Sequence, residues 1–511
     1  MSGLPDLFLQ QPGQAVSLDL STTGLATEDL LALDWKRVFS DRDALEAGGI
    51  ANPDENRQVG HYWLRAPERA PTMAQASAIG EAVEGVRAFV QGVRRGAITA
   101  PDGSSFTDVL HIGTGGSALG PAFLVDALGS DDVLTVHFLD NTDPDGVFRI
   151  LRRLGERLRT SLVVFVSKSG STPEPANALA LVRSELEQRG LPAAPVSVAI
   201  TVDGSQLARR AADEGWLRCF PIWPWVGGRV SATSAGGLLP AGLAGADTDA
   251  FLTGAAQMDE WTRVSDPLRN PAALLAGAWF CLGNGRGDRA GVVMPYIDRY
   301  VLFSRHLQQL IMESIGQRLD LDGNVVHQGL TIYGNKGSTD QHAFVQQLRD
   351  GRNDFFVMFI QALDIGHARD VEVRPGITTG DFLQGFFLGT RNALTEAGRP
   401  VLTLTIPSAD ARCTGALLAL YERAVGFYGS LIRINPYHQP GVEAGKKGAT
   451  AALDLSTRVR TYLAESPGKL QDIAAGVDAP IMDVLFLLQR LEMTGRAARH
   501  DDGRQETWSV T

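Results

Sequence analysis

The chain alternates short apolar runs with longer amphipathic stretches over most of its length. The apolar runs predict buried strands, and the amphipathic stretches between them predict helices. A first series of strands is predicted at Val109–Ile112, Val133–Leu139, Leu162–Val166 and Val196–Thr201, with helical stretches such as Ala176–Arg189 between them. Strands that alternate with helices in this way predict a parallel sheet covered by helices on both faces.

A second series of the same kind begins near residue 290. Its predicted strands are Gly291–Pro295, Leu330–Tyr333, Phe355–Ile360 and Val401–Ile406, again with long helices between them. The two series predict two similar α/β domains, although they resemble each other too little in sequence to form a recognisable repeat. We expect the segment Pro240–Asp266 to connect them.

The two ends of the chain differ from this alternation. Residues 1–60 are mixed and polar with a helix-like patch around Asp29–Ala47, and we interpret them as an N-terminal arm. The last sixty residues predict a small winged-helix-like module with three short helices and a hairpin around Asp501-Asp502-Gly503. The predicted helices are Ser456–Ala464, Leu470–Ala475 and Ile481–Leu491, and the predicted hairpin strands are Arg496–His500 and Arg504–Trp508.

Charge and composition exclude several classes of protein. The 511 residues, of which 44% are hydrophobic, predict a soluble protein with more than one domain, and no apolar run is long enough to span a membrane. The net charge of −11 provides no basic field for a nucleic acid, and residues 451–511 carry seven Lys or Arg against nine Asp or Glu. We therefore expect the C-terminal module to serve packing or subunit contact rather than DNA binding.

Cysteine usage and the N-terminus indicate the compartment. Cys219, Cys281 and Cys413 lie far apart, so they form neither a metal-ligand spacing nor a disulfide framework. Residues 1–13 have no basic start and no apolar core, and hence no visible secretory signal. A reducing cytoplasm is the expected location.

A hydroxyl-rich loop follows the third predicted strand and precedes a helix. Ser167, Ser169, Ser171 and Thr172 stand between the apolar run Leu162–Val166 and a proline near the first helical position. Loop amides and the positive end of a helix dipole favour an anion at such a place, and hydroxyls add donors. The loop predicts a phosphate site, although an ordinary N-capping turn has the same composition.

Two glycine-containing loops could bring the backbone close to a ligand. Gly116 and Ser117 follow the strand Val109–Ile112, with a glycine spacing that differs from the dinucleotide-binding fingerprint. Arg229 follows two glycines, and an arginine can stabilise a developing oxyanion with its fixed charge. A tight strand–helix turn and a surface salt bridge are the structural alternatives.

Gln309 and Glu313 stand four positions apart on a strongly periodic helix, so we expect them on one face. Among apolar neighbours such as Ile311 and Ile315, a carboxylate either pairs with a cation or serves as a base. A solvated helix face is the alternative.

His342 lies in a polar loop after a strand, where it could exchange protons near neutral pH or simply form a capping hydrogen bond. Lys446 stands in a glycine-flanked stretch near the end of the second series, where it could be placed for function or simply solvated.

Taken in order, these blocks resemble the glucose-6-phosphate isomerase family. A Gly-Gly-Ser loop, a Ser-Lys-Ser loop, Val-Gly-Gly-Arg, Gln-x-x-Met-Glu-Ser, Gln-His and Gly-Val-Glu-x-Gly-Lys follow one another from Gly113 to Lys446, over about two-thirds of the chain. The resemblance implies reversible isomerisation of glucose 6-phosphate and fructose 6-phosphate through a cis-enediolate, in glycolysis and gluconeogenesis. It also implies two doubly wound sugar-isomerase domains (residues 61–255 and 256–450, with the module at 451–511), a homodimer, and neither metal nor cofactor.

The family's functional residues can be matched one by one. Glu313 matches the base that moves a proton between C1 and C2, and Arg229 matches the group that stabilises the enediolate. His342 and Lys446 match groups involved in ring opening, and the histidine is supplied by the neighbouring subunit in the family. The positions that match substrate-binding residues are Ser167, Ser169, Ser171 and Thr172 in the phosphate loop, Gly116 and Ser117 in the other loop, and the glutamines Gln309 and Gln439.

Four positions depart from the common family pattern, and none of them removes a proposed catalytic group. Ala118 replaces a frequent aspartate, Gly170 replaces a bulkier residue, and Ile315 and Gln317 replace the usual Asn and Lys. These departures bear on affinity and substrate range.

Two other functions share these motifs. A related isomerase would also handle mannose 6-phosphate, and its products would distinguish it. A sugar-phosphate-binding regulator would bind without turnover and use its C-terminal module as output. The intact Glu313, His342 and Lys446, and the acidic balance of that module, count against the regulator.

Overall fold

The computed structural model describes residues 6–10, 13, 15–170, 172–364, 366, 369–501 and 506–511, with the backbone alone for Glu443 and Asp501. The chain forms two compact units, Met1–His438 and Gln439–Thr511. None of the helices found in these ranges combines the length and the apolar character that a membrane crossing requires.

The strands of the described residues are numbered in chain order. They are β1 Phe8–Leu9, β2 Ser17–Asp19, β3 Ile50–Asn52, β4 Arg57–Gln58, β5 Asp108–Ile112, β6 Thr135–Leu139, β7 Ser161–Val166, β8 Ser197–Thr201, β9 Arg218–Pro221, β10 Ala290–Tyr296, β11 Ile332–Tyr333, β12 Phe355–Asp364, β13 Glu372–Arg374, β14 Ile377–Thr378, β15 Val401–Ser408, β16 Ala497–Asp501 and β17 Glu506–Val510.

The α-helices are numbered in the same way. They are α1 Thr27–Leu31, α2 Trp35–Glu46, α3 Met73–Arg94, α4 Leu119–Leu128, α5 Pro144–Leu154, α6 Pro173–Gln188, α7 Gln206–Asp213, α8 Ala235–Leu243, α9 Thr248–Thr262, α10 Pro271–Leu282, α11 Val301–Leu307, α12 Val345–Asp350, α13 Thr379–Glu396, α14 Ala411–Leu431, α15 Pro440–Glu465, α16 Leu470–Gly476 and α17 Ile481–Met493.

The first sheet has the strand order β6-β5-β7-β8-β9, and all its pairings are parallel. Every residue of β5, β7 and β8 is buried, as expected for strands that are covered on both faces. The four strands predicted for this region are confirmed. The edge strand β9 escaped prediction because it is short and half exposed, so its sequence lacks a continuous apolar run.

The second sheet has the order β1-β2-β15-β12-β10-β11. Its four strands from the second series pair in parallel, which confirms their prediction, whereas β1 and β2 are antiparallel additions from the N-terminal segment. In the register of the added edge, Asp19 lies opposite Thr403, and its carboxylate accepts a hydrogen bond from Arg391 at 2.7 Å. The predicted arm therefore contributes structure to the second sheet.

The segment expected to connect the two series is mostly helical. All of α8 is buried, and α9 packs against α14, a helix that is itself buried along most of its length. The two helices approach so closely that a Cβ on Gly254 would lie 1.9 Å from the carbonyl oxygen of Arg412. Side chains from both sheets and from these helices share one hydrophobic core. The expected α/β fold with parallel sheets is confirmed.

The unit Gln439–Thr511 contains α15, α16, α17 and the antiparallel pair β16–β17. Its own core includes Val459, Ile473, Leu488 and Trp508. The predicted helices and paired strands are confirmed, except that residues 502–505 lie outside the described residues. Helix α15 begins sixteen residues before the predicted start, because the glycines of its first turns conceal the helical pattern. The winged-helix interpretation stays a prediction.

The predicted division of the chain into domains also stays a prediction. Residue 255 lies within α9, and residue 450 lies within α15.

Candidate active site

Two of the predicted site loops lie at the carboxyl ends of neighbouring parallel strands, β5 and β7, where open α/β sheets form ligand-binding crevices. Gly116, in the loop after β5, is buried against a third loop. A Cβ on Gly116 would lie 2.1 Å from the carbonyl carbon of Gly228 and 2.5 Å from the backbone nitrogen of Arg229. Only glycine allows these two loops to touch, so this position fixes their separation. Ser117 closes the turn, and its carbonyl oxygen lies 2.8 Å from Nε2 of the buried His111.

The hydroxyl-rich loop after β7 has a tight internal geometry. The Ser167 hydroxyl accepts a hydrogen bond of 3.0 Å from the backbone nitrogen of Gly170. Gly170 has φ +78°, and a Cβ there would lie 2.7 Å from Leu207, so the bulkier residue usual in the family would not fit this backbone. Ser169 is exposed, whereas Ser171 lies outside the described residues.

Thr172 stands at the N-cap of α6, and its hydroxyl is not used to cap the helix. Proline occupies positions 173 and 175 in the first turn, so two of the first three helical residues have no N–H. The end of α6 therefore offers few amide donors to an anion. The loop hydroxyls would have to supply more of the hydrogen bonds that an anion needs.

Lys168 links this loop to the one that carries Arg229, because its ammonium group donates a hydrogen bond to the carbonyl oxygen of Val226. Burial, with smaller effects of Arg57 and Arg229, lowers the pKa of Lys168 to about 7. A phosphate bound nearby would favour the charged form. Lys168 is a functional candidate that the motifs do not indicate, and its place between two loop hydroxyls is the signal that could have found it.

Arg229 and Glu313 form the centre of the candidate site. Their closest side-chain atoms, Nη1 of the arginine and Oε2 of the glutamate, are 3.6 Å apart, with 5% of the Arg229 and 19% of the Glu313 side chain exposed. Burial lowers the pKa of Arg229, and the charge of Glu313 opposes that shift. The Nε of Arg229 also donates to the Ser314 hydroxyl at 2.6 Å. The two sequence-predicted groups are thus brought together across 84 residues of chain.

The helix that carries Gln309 and Glu313 differs from the expected α-helix. After α11, residues Gln308–Glu313 form a π-helical turn, a feature frequent at functional sites. Gln309 faces the first loop, since its Nε2 lies 3.2 Å from the place of a Cβ on Gly115. The periodicity correctly indicated a helix but not its widened turn.

His342 ends a short 3-10 helix, Thr339–His342, and its side chain is exposed. Its neighbours anchor the loop, because Asp340 accepts a hydrogen bond from the backbone of Asn335 and Gln341 donates to the carbonyl of Phe386. Among the described residues, no hydrogen bond or ion pair joins His342 to Glu313. The association of His342 with Glu313 stays a prediction.

Gln439 and Lys446 belong to the second compact unit. Gln439 is the N-cap residue of α15, and Lys446 lies in the first turns of that helix. Their association with Glu313 stays a prediction.

One buried residue close to this centre carried no sequence signal. His61 is fully buried, and neither ring nitrogen has a hydrogen-bond partner within the described part of the chain. Burial and the charges of Arg65, Arg423 and Arg229 lower its pKa well below the usual value. A neutral imidazole thus lies within electrostatic reach of Arg229.

Comparisons with known proteins agree with these motifs. Residues 26–464 match the family described as phosphoglucose isomerase. A glucose-6-phosphate isomerase from Synechococcus sp. (strain JA-3-3Ab) is 52% identical over 506 residues, covering 96% of this chain and 94% of the relative. A glucose-6-phosphate isomerase from Thermosynechococcus vestitus is 52% identical over 491 residues, covering 95% of this chain and 93% of the relative.

A similar solved structure is that of a glucose-6-phosphate isomerase from Chlamydia trachomatis, with a TM-score of 0.79 and 28% sequence identity. The similarity covers 88% of this chain and 90% of that one. The family predicted from the motifs is confirmed: the chain belongs to the phosphoglucose isomerase family.

Proposed function

We propose that the protein interconverts glucose 6-phosphate and fructose 6-phosphate by moving a proton between C1 and C2 through a cis-enediolate. Relatives that carry the name glucose-6-phosphate isomerase share more than half of its residues over nearly its whole length. The observation that carries the proposal is the contact of 3.6 Å between Arg229 and Glu313, a fixed cation beside a partly buried carboxylate. A base and an oxyanion partner are what this proton transfer requires.

Glu313 acts as the base in this proposal. It removes the proton from C2 of the open aldose and returns it to C1, so the carboxylate is regenerated at the end of each turnover. Negative charge develops on the substrate oxygens in the enediolate, and the guanidinium of Arg229 stabilises it. Both side chains are largely withdrawn from water, which strengthens their electrostatic effect.

The substrate phosphate binds in the loop 167–172. Ser167, Ser169, Ser171 and Thr172 supply hydroxyl donors, and the N-terminus of α6 supplies a favourable dipole. The phosphate is largely dianionic at neutral pH. Its binding holds the reacting carbons beside Glu313, which lowers the entropic part of the activation barrier.

The remaining predicted residues orient the sugar and open its ring. The loop with Gly116 and Ser117, together with Gln309 and Gln439, contacts the substrate in this proposal. His342 and Lys446 assist ring opening before the proton transfer begins.

We also propose that two copies of the chain form a homodimer in which each His342 completes the site of the other copy. The exposed position of His342 supports this arrangement. Six large apolar side chains between residues 363 and 388 are exposed, and such side chains favour association. They are Leu363, Val371, Val373, Ile377, Phe386 and Leu388. One of them belongs to Phe386, whose carbonyl accepts a hydrogen bond from Gln341, the neighbour of His342.

Mixing two inactive variants tests the shared site. A heterodimer of His342→Ala and Glu313→Gln subunits contains one site with both groups intact only if His342 acts across the interface. Refolding the variants together should therefore restore activity. Sites built within single subunits would leave the mixture as inactive as its components.

The isomerase activity itself is tested by incubating the purified chain with fructose 6-phosphate and a chelator, followed by chromatography of the sugar phosphates. Glucose 6-phosphate is the expected product. Mannose 6-phosphate among the products would indicate the broader isomerase. Binding of fructose 6-phosphate without any turnover would refute the proposal and favour the regulator.

We expect the protein in the cytoplasm, which cell fractionation would test.

A further inference from the structure

Uncharged oxygens accept three hydrogen bonds from the guanidinium of Arg229. Its Nε donates to the Ser314 hydroxyl at 2.6 Å, and its Nη2 donates to the carbonyls of Pro436 at 2.7 Å and His438 at 3.4 Å. These acceptors orient the arginine beside the Glu313 carboxylate, 3.6 Å away, without adding negative charge of their own. The position of Arg229 thus depends on two segments, the end of the π-helical turn and residues 436–438.

Gln317 bridges these two segments. Its carboxamide nitrogen donates to the carbonyl of His438 at 2.8 Å and lies 3.4 Å from that of Ser314. The side chain is buried, and the backbone of Gln317 is fixed by hydrogen bonds in both directions with Gln328. The carboxamide nitrogen therefore extends from a backbone that is fixed in place, and it donates to the His438 carbonyl, which also accepts a hydrogen bond from Arg229.

We propose that Gln317 is a positioning residue for Arg229. Its carboxamide joins residues 436–438 to the end of the π-helical turn Gln308–Glu313, and so holds the guanidinium where the enediolate charge develops. This inference rests on the proposed isomerase function. An amide suits the role because it donates a hydrogen bond without adding a second carboxylate beside Arg229, which already lies 3.6 Å from Glu313. Gln317 acts through Arg229 and does not itself touch the substrate.

The expected effect falls on the chemical step rather than on substrate capture. Without the amide donor, residues 436–438 lose their tie to the helix, and the acceptors of Arg229 shift. Displacement of a catalytic group by about 1 Å can cost about 10²-fold in rate. Because the hydrogen bond from the Nε of Arg229 to Ser314 does not involve residues 436–438, we expect a partial loss, about 10-fold in kcat. The segments that Gln317 joins do not include the proposed phosphate loop, residues 167–172, so KM should change little.

Three variants separate positioning from general structure. Gln317→Met keeps the length and volume but removes the donor, whereas Gln317→Lys restores a donor that can reach the His438 carbonyl. Gln328→Met is the matched control, because the Gln328 side chain donates to the carbonyl of Gly285 at 3.1 Å, and the substitution keeps the backbone hydrogen bonds to Gln317. Each variant is assayed for kcat and KM with fructose 6-phosphate.

Binding of two ligands provides a second readout. A sugar-phosphate hydroxamate is a planar anion that mimics the enediolate, whereas sorbitol 6-phosphate offers the phosphate without that charge. Gln317→Met should weaken hydroxamate binding about 10-fold, in line with kcat, and leave sorbitol 6-phosphate binding unchanged. Gln317→Lys and Gln328→Met should bind both ligands as the wild type does.

Three results would overturn the inference. They are wild-type kcat in Gln317→Met, an equal loss of affinity for both ligands, which would indicate a purely structural role, and an equal loss of kcat in Gln328→Met. Sorbitol 6-phosphate binding also reports whether each variant keeps a folded site. If the protein were not an isomerase, the wild type itself would show no turnover, and this result differs from every outcome that concerns Gln317 alone.

Discussion

Gly116→Ala offers a sharp test of how the site is assembled. The added Cβ would lie 2.1 Å from the carbonyl carbon of Gly228 and 2.5 Å from the backbone nitrogen of Arg229. Carbon atoms in contact are about 3.5–4.0 Å apart, so the two loops must separate by more than about 1 Å. Both clashes are with backbone atoms, and no side-chain rotation can relieve them.

The separation has two consequences of different kinds. Overpacking of this sort costs about 1–3 kcal/mol of folding free energy. The displacement also acts directly on the backbone that carries Arg229, and a shift of about 1 Å in a catalytic group costs about 10²-fold in rate. We therefore expect kcat/KM for fructose 6-phosphate to fall about 100-fold, while the urea unfolding midpoint decreases moderately.

Gly120→Ala is the control for this experiment. Gly120 lies four residues further along, within α4, and a Cβ there would make an ordinary contact of 3.4 Å with Ala232. Alanine in a helix should leave activity unchanged and stabilise the fold by about 0.4–1 kcal/mol. Wild-type kcat/KM in Gly116→Ala, or an equal loss in both variants, would refute the idea that the Gly116 contact positions Arg229.

Three further predictions concern the base, a buried ion pair and a buried histidine. Glu313→Gln should lower kcat by about 10²–10⁴-fold with an unchanged melting temperature, because the base is lost without a change of shape; wild-type turnover would rule out Glu313 as the base. Asp259→Ala should cost about 3–5 kcal/mol in urea unfolding, since it removes the carboxylate that accepts the Nε of the buried Arg65 at 2.5 Å and leaves that guanidinium paired with Glu422. The exposed Asp145→Ala should have a much smaller effect, and similar costs for both would contradict the burial argument. Burial lowers the pKa of His306 to about 4, whereas an unfolded histidine titrates near about 6.5, so the unfolded state gains the proton first and stability falls as the pH drops from about 6.5 towards 4. His306→Leu should make this pH dependence of the unfolding midpoint less steep, because the buried His61 and His111, whose pKa values are also lowered, still contribute to it. An unchanged slope would show that His306 does not contribute.

Local sequence determined most of the α/β framework. Central strands such as β5, β7 and β8 have apolar runs because they are buried on both faces, and that burial leaves a readable pattern. Short or half-exposed strands leave a weaker pattern. β9 and the N-terminal strand Ser17–Asp19 were therefore missed, and the latter is recognisable only through its antiparallel pairing with β15.

The sequence also carried the candidate chemistry, since the order of the six motifs gave the family and its proposed residues. It could not indicate the π-helical turn at Gln308–Glu313, because apolar spacing over six residues does not distinguish helix types. Lys168 was overlooked because its importance lies in a hydrogen bond to Val226, 58 residues away.

The sequence by itself determined which residue types are available and which strands and loops carry them. Tertiary structure decided which of them meet: Gly116 against Gly228, Arg229 beside Glu313, and the carbonyls of residues 436–438 around the same guanidinium. These contacts join segments that are 84 to more than 200 residues apart in the chain. Local propensity acts over a few neighbouring residues, whereas such contacts form only when the packing of the sheets and helices fixes the loops at one edge.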